Sequence, residues 1–117
     1  MKNNLDDYEI NIFKTLDFIR DHATAYAKAK SERIYLEEYR KTKKALCMKD
    51  AEVSGTNAIS AQERDAYAHP DYLVVIEGLR EAVHEEERLR WLIIAAQAKI
   101  EVWRSLSANK RIEAKIL

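Results

Sequence analysis

Apolar residues recur at steps of three or four along the first part of the chain: Leu5, Tyr8, Ile12, Leu16, Ile19, Ala23 and Ala27. That is the helical period, and no glycine or proline interrupts it before residue 52. Lys30, Glu38 and Lys41 then occupy stripe positions, between Ile34 and the pair Ala45 and Met48, so the pattern weakens in the middle. Asp6, Asp7 and Glu9 suit the positive end of a helix dipole. The spacing predicts a first long helix over residues 5–52, about 65–70 Å long at about 1.5 Å per residue. Thr24, a poor helix former, marks where a break between His22 and Ala25 would fall.

Residues 53–60, VSGTNAIS, gather the turn-forming types and predict a loop. Ser60 and Glu63 have capping-box spacing and predict a short helix over 61–68. It must stop near His69, because the residue before a proline is pushed out of the helical region. Pro70 can then open the next helix at no cost in hydrogen bonds, with Asp71 favourable beside it. This second long helix is predicted over 70–112.

Its apolar residues fit a heptad. One row is Tyr72, Leu79, Glu86, Ile93 and Ile100; the other is Val75, Ala82, Leu89, Ala96 and Trp103. Only Glu86 breaks this coiled-coil-like seam. Ile76, Val83, Leu92 and Leu106 widen the apolar face, and the tail IEAKIL is expected to fray.

Both long arms begin acidic and end basic. Asp17 and Asp21 precede Arg40, Lys41, Lys43, Lys44 and Lys49 on the first; Glu77, Glu81 and residues 85–87 precede Arg104, Lys110, Arg111 and Lys115 on the second. Folding at the loop sets acid beside base, which selects an antiparallel hairpin. Exposed pairs contribute only about 0–1 kcal/mol each, so they set direction more than stability. The expected fold is all-α: a single domain of 117 residues forming a long antiparallel helical hairpin with a short helix in the connection. A hairpin leaves the wide apolar face of the second arm partly wet, so dimerisation into a helical bundle is expected. Leu79, Leu89, Ile93, Ile100, Trp91 and Trp103 are the candidate partner or oligomer interface.

Composition narrows the function classes. Two glycines and one proline are too few for a turn-rich β fold. A formal net charge of zero argues against a strongly electrostatic nucleic-acid binder. One cysteine, Cys47, makes no internal disulfide and no metal framework. No apolar run approaches the ~20 residues of a membrane span, and the N-terminus lacks signal-peptide character, so a cytoplasmic protein with no membrane contact is expected.

The chemistry-bearing patterns are weak. Residues 33–49 interleave Tyr35 and Tyr39 with Arg33, Arg40, Lys41, Lys43 and Lys44, as a nucleic-acid contact would. Glu32, Glu37 and Glu38 lie among them, and a solvated face paired to the acidic start of the second arm accounts for the same residues. Glu81 and His84 have the E-x-x-H spacing of ferritin-like bundles, which Glu37 or Glu38 would have to complete. It is a single short pattern in a Glu-rich run with cationic residues on the facing arm, and surface charge is the simpler explanation. His22 and His69 lack a ligand at metal spacing. There is no phosphate-cradling loop and no nucleophile elbow. Cys47 reads as a small buried apolar residue. Neither an enzyme nor a cofactor is expected.

Three segments, RIYLEEYRKTKKALCMKDAE (33–52), SAQERDAYAHPDY (60–72) and AAQAKIEVWRS (95–105), resemble a set of small helical proteins of tailed phages and prophages. The similarity covers roughly residues 30–111. It implies an early-region accessory protein, of the kind associated with phage recombination and single-strand DNA functions, in the cytoplasm of the host. It carries no catalytic motif. The leading expectation is a non-enzymatic protein acting through protein contacts, possessing as alternatives direct DNA binding through residues 33–49 or a metal-binding bundle.

Overall fold

The computed structural model describes residues 10–116, and these form three helices and no strand. They are α1 (Ile12–Val53), α2 (Ile59–Ala68) and α3 (Pro70–Ile116). The two long helices pack against each other as an antiparallel hairpin with the short helix between. The antiparallel sense follows from pairs of residues: Cys47 shares a core with Tyr72, and Arg33 pairs with Glu86. The chain divides into two compact units. One holds residues up to Tyr26 and from Arg88 onward; the other holds Ala27–Glu87.

Helix α1 starts at Ile12, where Asn11 caps it: the Lys14 amide donates to Asn11 Oδ1 at 3.1 Å. The expected start at Leu5, with Tyr8 and the acidic Asp6, Asp7 and Glu9, lies outside the described residues. No break falls between His22 and Ala25; the helix runs unbroken for 42 residues. It ends in a Schellman motif. Gly55, at φ 105, donates to Glu52 O at 3.0 Å, and the Thr56 amide donates to Ala51 O at 2.9 Å. Only glycine adopts that backbone at no steric cost.

Helix α2 begins two residues before the expected position. Its N-cap is Ala58, which makes no side-chain cap bond, so the Ser60–Glu63 capping box does not form. Glu63 instead accepts from Lys44 Nζ on α1 at 2.7 Å. A charged partner across helices is a stronger acceptor's choice than its own helix end. Buried Gln62 ties the loop down, donating to Thr56 O at 2.8 Å. At the next junction His69 is extended (φ −67, ψ 133) and Pro70 is the first residue of α3. Helix α3 continues past residue 112 to Ile116, through the tail expected to fray.

The heptad rows of α3 match its burial. Tyr72, Val75, Ala82, Glu86, Leu89 and Ala96 are buried; Leu79, Ile93 and Ile100 are half-buried; Trp103 is exposed. On α1 the apolar stripe misled. Leu16 and Ile34 are 48% and 46% exposed, and Ala23, Ala27 and Ala45 also face solvent. The residues turned inward are Ile12, Thr15, Ile19, His22, Tyr26, Ala29, Arg33, Leu36, Arg40, Lys43 and Cys47, all buried or half-buried. They too keep steps of three and four, but five of them are polar or charged.

In the unit of residues 27–87, buried Cys47, Ala66 and Tyr72 form a core cluster with Met48 and Ile76 against it. Tyr67 meets Tyr72 edge-on at 5.5 Å between centroids, and Lys44 Nζ lies 4.6 Å above the Tyr67 ring. In the other unit, Lys14, Thr15 and Phe18 of α1 face Leu92, Ala95, Ala96 and Lys99 of α3 across an open cleft of about 330 Å³. Phe18 stacks on His22 there, and Thr15 donates its hydroxyl to Asn11 O at 3.0 Å.

Candidate interaction surface

Glu86, the residue that breaks the apolar seam, is its polar centre. Its side chain is 8% exposed and accepts from Arg33 through two nitrogens, Nε and Nη2, the latter at 3.1 Å. Arg33 Nη1 also donates to Glu37 Oε1 at 3.1 Å. Hydrogen bonding to Glu86 first, then to Glu37, holds the Arg33 guanidinium above arginine's ordinary range. Two carboxylates thus engage a cation that the sequence placed on a nucleic-acid face.

Lys44, another residue of that face, is occupied in the same way. Its bond to Glu63, and then to Tyr67, raises the ammonium above lysine's ordinary range, while the Lys44 bond lowers the Glu63 carboxyl. Lys41 pairs with Glu38 on the surface at 3.2 Å. Arg40 and Lys43 are half-buried. Tyr35 and Tyr39 stack on each other at 5.8 Å with rings 8° from parallel. At about 100° per residue, Arg33 and Lys44 lie about 160–180° around α1 from Tyr35. The candidate nucleic-acid residues therefore share a stretch of sequence without sharing a surface; only Lys43 lies on the tyrosine side.

Glu81 and His84 are exposed on α3, while Glu37 and Glu38, needed to complete a metal site, bond to Arg33 and Lys41. Among the described residues no group of three or more His, Cys, Asp or Glu is placed to hold a metal ion. Cys47 is buried, and that burial pushes its thiol pKa up, leaving it protonated and a poor nucleophile.

The six candidate interface residues separate into two groups. Leu89 is buried in the intramolecular seam, with Leu79, Ile93 and Ile100 half-buried along it. The hairpin itself uses these four. Trp91 is 59% exposed, with the guanidinium of neighbouring Arg90 at 5.1 Å from its ring, and Trp103 is also exposed. Leu92, Val102, Leu106, Ile112 and Ile116 of α3, and Phe13 and Leu16 of α1, are exposed as well. Helical spacing is the signal that points to Ile112 and Ile116, which continue the row of Trp91 at steps of three and four.

Among the described residues, eight apolar residues are buried, four of them alanines, while eighteen large ones are exposed. No helix among the described residues is long and apolar enough to cross a membrane. No family model, curated protein or solved structure matches the chain.

Proposed function

We propose that this chain is a non-enzymatic helical interaction protein of phage or prophage origin, an accessory to phage DNA recombination or replication that acts through protein–protein contacts. The observation that carries the contact reading is the apolar surface left outside. Exposed patches of large apolar residues on a chain with so small a core mark places where another protein fits. Trp91 is the strongest single anchor, since exposed tryptophans are enriched among residues that dominate binding energy. The chain is expected to be a homo-oligomer in the cytoplasm of the host. Its origin and setting rest on the resemblance of residues 33–52, 60–72 and 95–105 to phage proteins.

The test compares wild-type chain with Trp91→Glu as bait in extract of the producing cells. The expected result is a host or phage protein retained by wild type and lost with the variant. Identical protein sets on both baits would count against the reading. The DNA alternative draws on the stacked pair of exposed Tyr35 and half-buried Tyr39, whose free faces could take unpaired bases. Anisotropy with single- and double-stranded oligonucleotides at two salt concentrations separates the two. Salt-sensitive binding at micromolar protein would replace the protein-contact reading with the DNA one. Phage genes flanking the coding sequence are expected; a purely metabolic neighbourhood would remove the phage origin.

A further inference from the structure

Helix α3 carries a second row outside its buried seam, of which Ala95 borders the cleft toward α1. From Trp91 to Ile116 it takes eight positions at alternating steps of four and three, the spacing that keeps a row on one face. All eight are exposed and none is charged. The same row earlier in α3 reads Glu77, Glu81, His84 and Arg88, as a solvated face should. The change at Trp91 falls within the unit that holds Arg88 onward. An outer helix face gains nothing from eight successive row positions without a charge unless something covers it.

Reversed on itself, the row is its own complement. Folding it about the point between Val102 and Ser105 sets Val102 opposite Ser105, Ala98 opposite Asn109, and Ala95 opposite Ile112. Bulk then meets a small residue in the layers at Ala95 and Ser105, which lets two helices approach closely. Trp91 and Ile116 close the ends. The flanking rows agree: Lys99 falls beside Leu106, Glu101 beside Ala108 and Glu113 beside Leu92, so no like charges are opposed. A self-complementary patch is what a two-fold symmetric contact requires.

We propose that this face binds the same face of a second copy of the chain, with the two α3 helices antiparallel. The inference rests on the reading of the chain as an interaction protein and names one partner and one surface for it.

The experiment uses the full chain. Sedimentation should show a dimer of 13.6 kDa chains. Val102→Glu should weaken it at least tenfold while keeping its helical circular dichroism; Ala98→Glu serves if the first variant misfolds. In mixtures oxidised with copper-phenanthroline, a chain bearing Ala95→Cys should cross-link to one bearing Ile112→Cys, whereas Ala95→Cys should not cross-link to itself. Wild type, with Cys47 buried, is the blank. A 13.6 kDa species at high concentration, a dimer indifferent to Val102→Glu, or an Ala95→Cys self-cross-link would each overturn the proposal. A dimer that retains no foreign protein from extract upholds this inference and defeats the broader reading of a foreign partner; a monomer that retains one does the reverse.

Discussion

Leu89 and Trp91 are two residues apart on α3, yet truncating them should have unequal consequences. Leu89 is 3% exposed, in the seam that joins α3 to α1; Trp91 is 59% exposed. Removing a buried leucine side chain to the β-carbon loses its transfer free energy and leaves a cavity, about 2–5 kcal/mol in all. A layer only two helices thick can close partly over the gap, which places Leu89→Ala at about 2–3 kcal/mol. With a urea m-value of about 1–3 kcal/mol per M, the midpoint should fall by roughly 1–2 M. Trp91 meets the guanidinium of Arg90, its neighbour in sequence, a contact that the unfolded chain can also make. Trp91→Ala should therefore cost about 1 kcal/mol or less in the dissociated chain. Urea titrations followed by circular dichroism at 222 nm, at protein concentrations low enough to dissociate a dimer, measure both. At high concentration Trp91→Ala should gain a further loss, because a partner contact then adds to stability by mass action. A Leu89→Ala cost below about 1 kcal/mol, or equal costs at low concentration, would refute the assignment of the two faces.

Gly78→Ala should stabilise the chain by about 0.5–1 kcal/mol, since an added Cβ would meet only Leu36 Cδ1 at an ordinary 3.9 Å and the helix gains an alanine; a lower melting temperature would contradict this. The seam ion pair should respond unequally to its two truncations. Arg33→Met leaves Glu86 buried without its cation and should lower the melting temperature far more than Glu86→Gln, because Arg33 keeps Glu37 and is 24% exposed; the reverse order in thermal scans would sink the reasoning. The Lys44–Glu63 bond should make stability fall in acid. Glu63 has its folded pKa lowered, so its contribution is present above its unfolded value of 4.5 and is lost as pH falls through the folded value. Lys44 has its folded pKa raised, so its contribution is complete below 10.5 and is lost as pH rises through the folded value. The stability gap between wild type and Glu63→Gln should hold level from pH 5 to 10 and close below 4.5; a gap that persists at pH 2 would remove the pair as its cause.

How much was legible differs between the two long helices. On α3 the large apolar residues and the buried face coincide, because Val75, Leu89 and Ile93 dominate their rows and one polar interruption cannot move the pattern. On α1 the mean pattern pointed to the row of Leu16 and Ile34, and burial went to a row containing Thr15, His22, Arg33, Arg40 and Lys43. Long cationic side chains can bury their stems while their heads find a carboxylate or water, so hydrophobicity under-reads such a face. Arg33 is the clearest case: its place is set by Glu86, 53 residues away in sequence. The same distance effect divides the cations of residues 33–49 between surfaces, since Lys44 pairs with Glu63 of α2. The Ser60–Glu63 capping box does not form because α2 already starts at Ile59, which puts Ser60 inside the helix, and Glu63 bonds Lys44 of α1.

By itself, the sequence determined the helical class, the stop at His69 and Pro70, and the face that α3 turns inward, because these depend on backbone sterics and on the period of its own side chains. Tertiary structure alone decided which side of α1 meets α3, that Glu86 is a paired centre rather than a flaw, and that the uncharged row from Trp91 to Ile116 is left outside. Each of those is a property of two helices together. A polar residue is buried or exposed according to what stands opposite, and an apolar row counts as surplus only once the first seam has been filled.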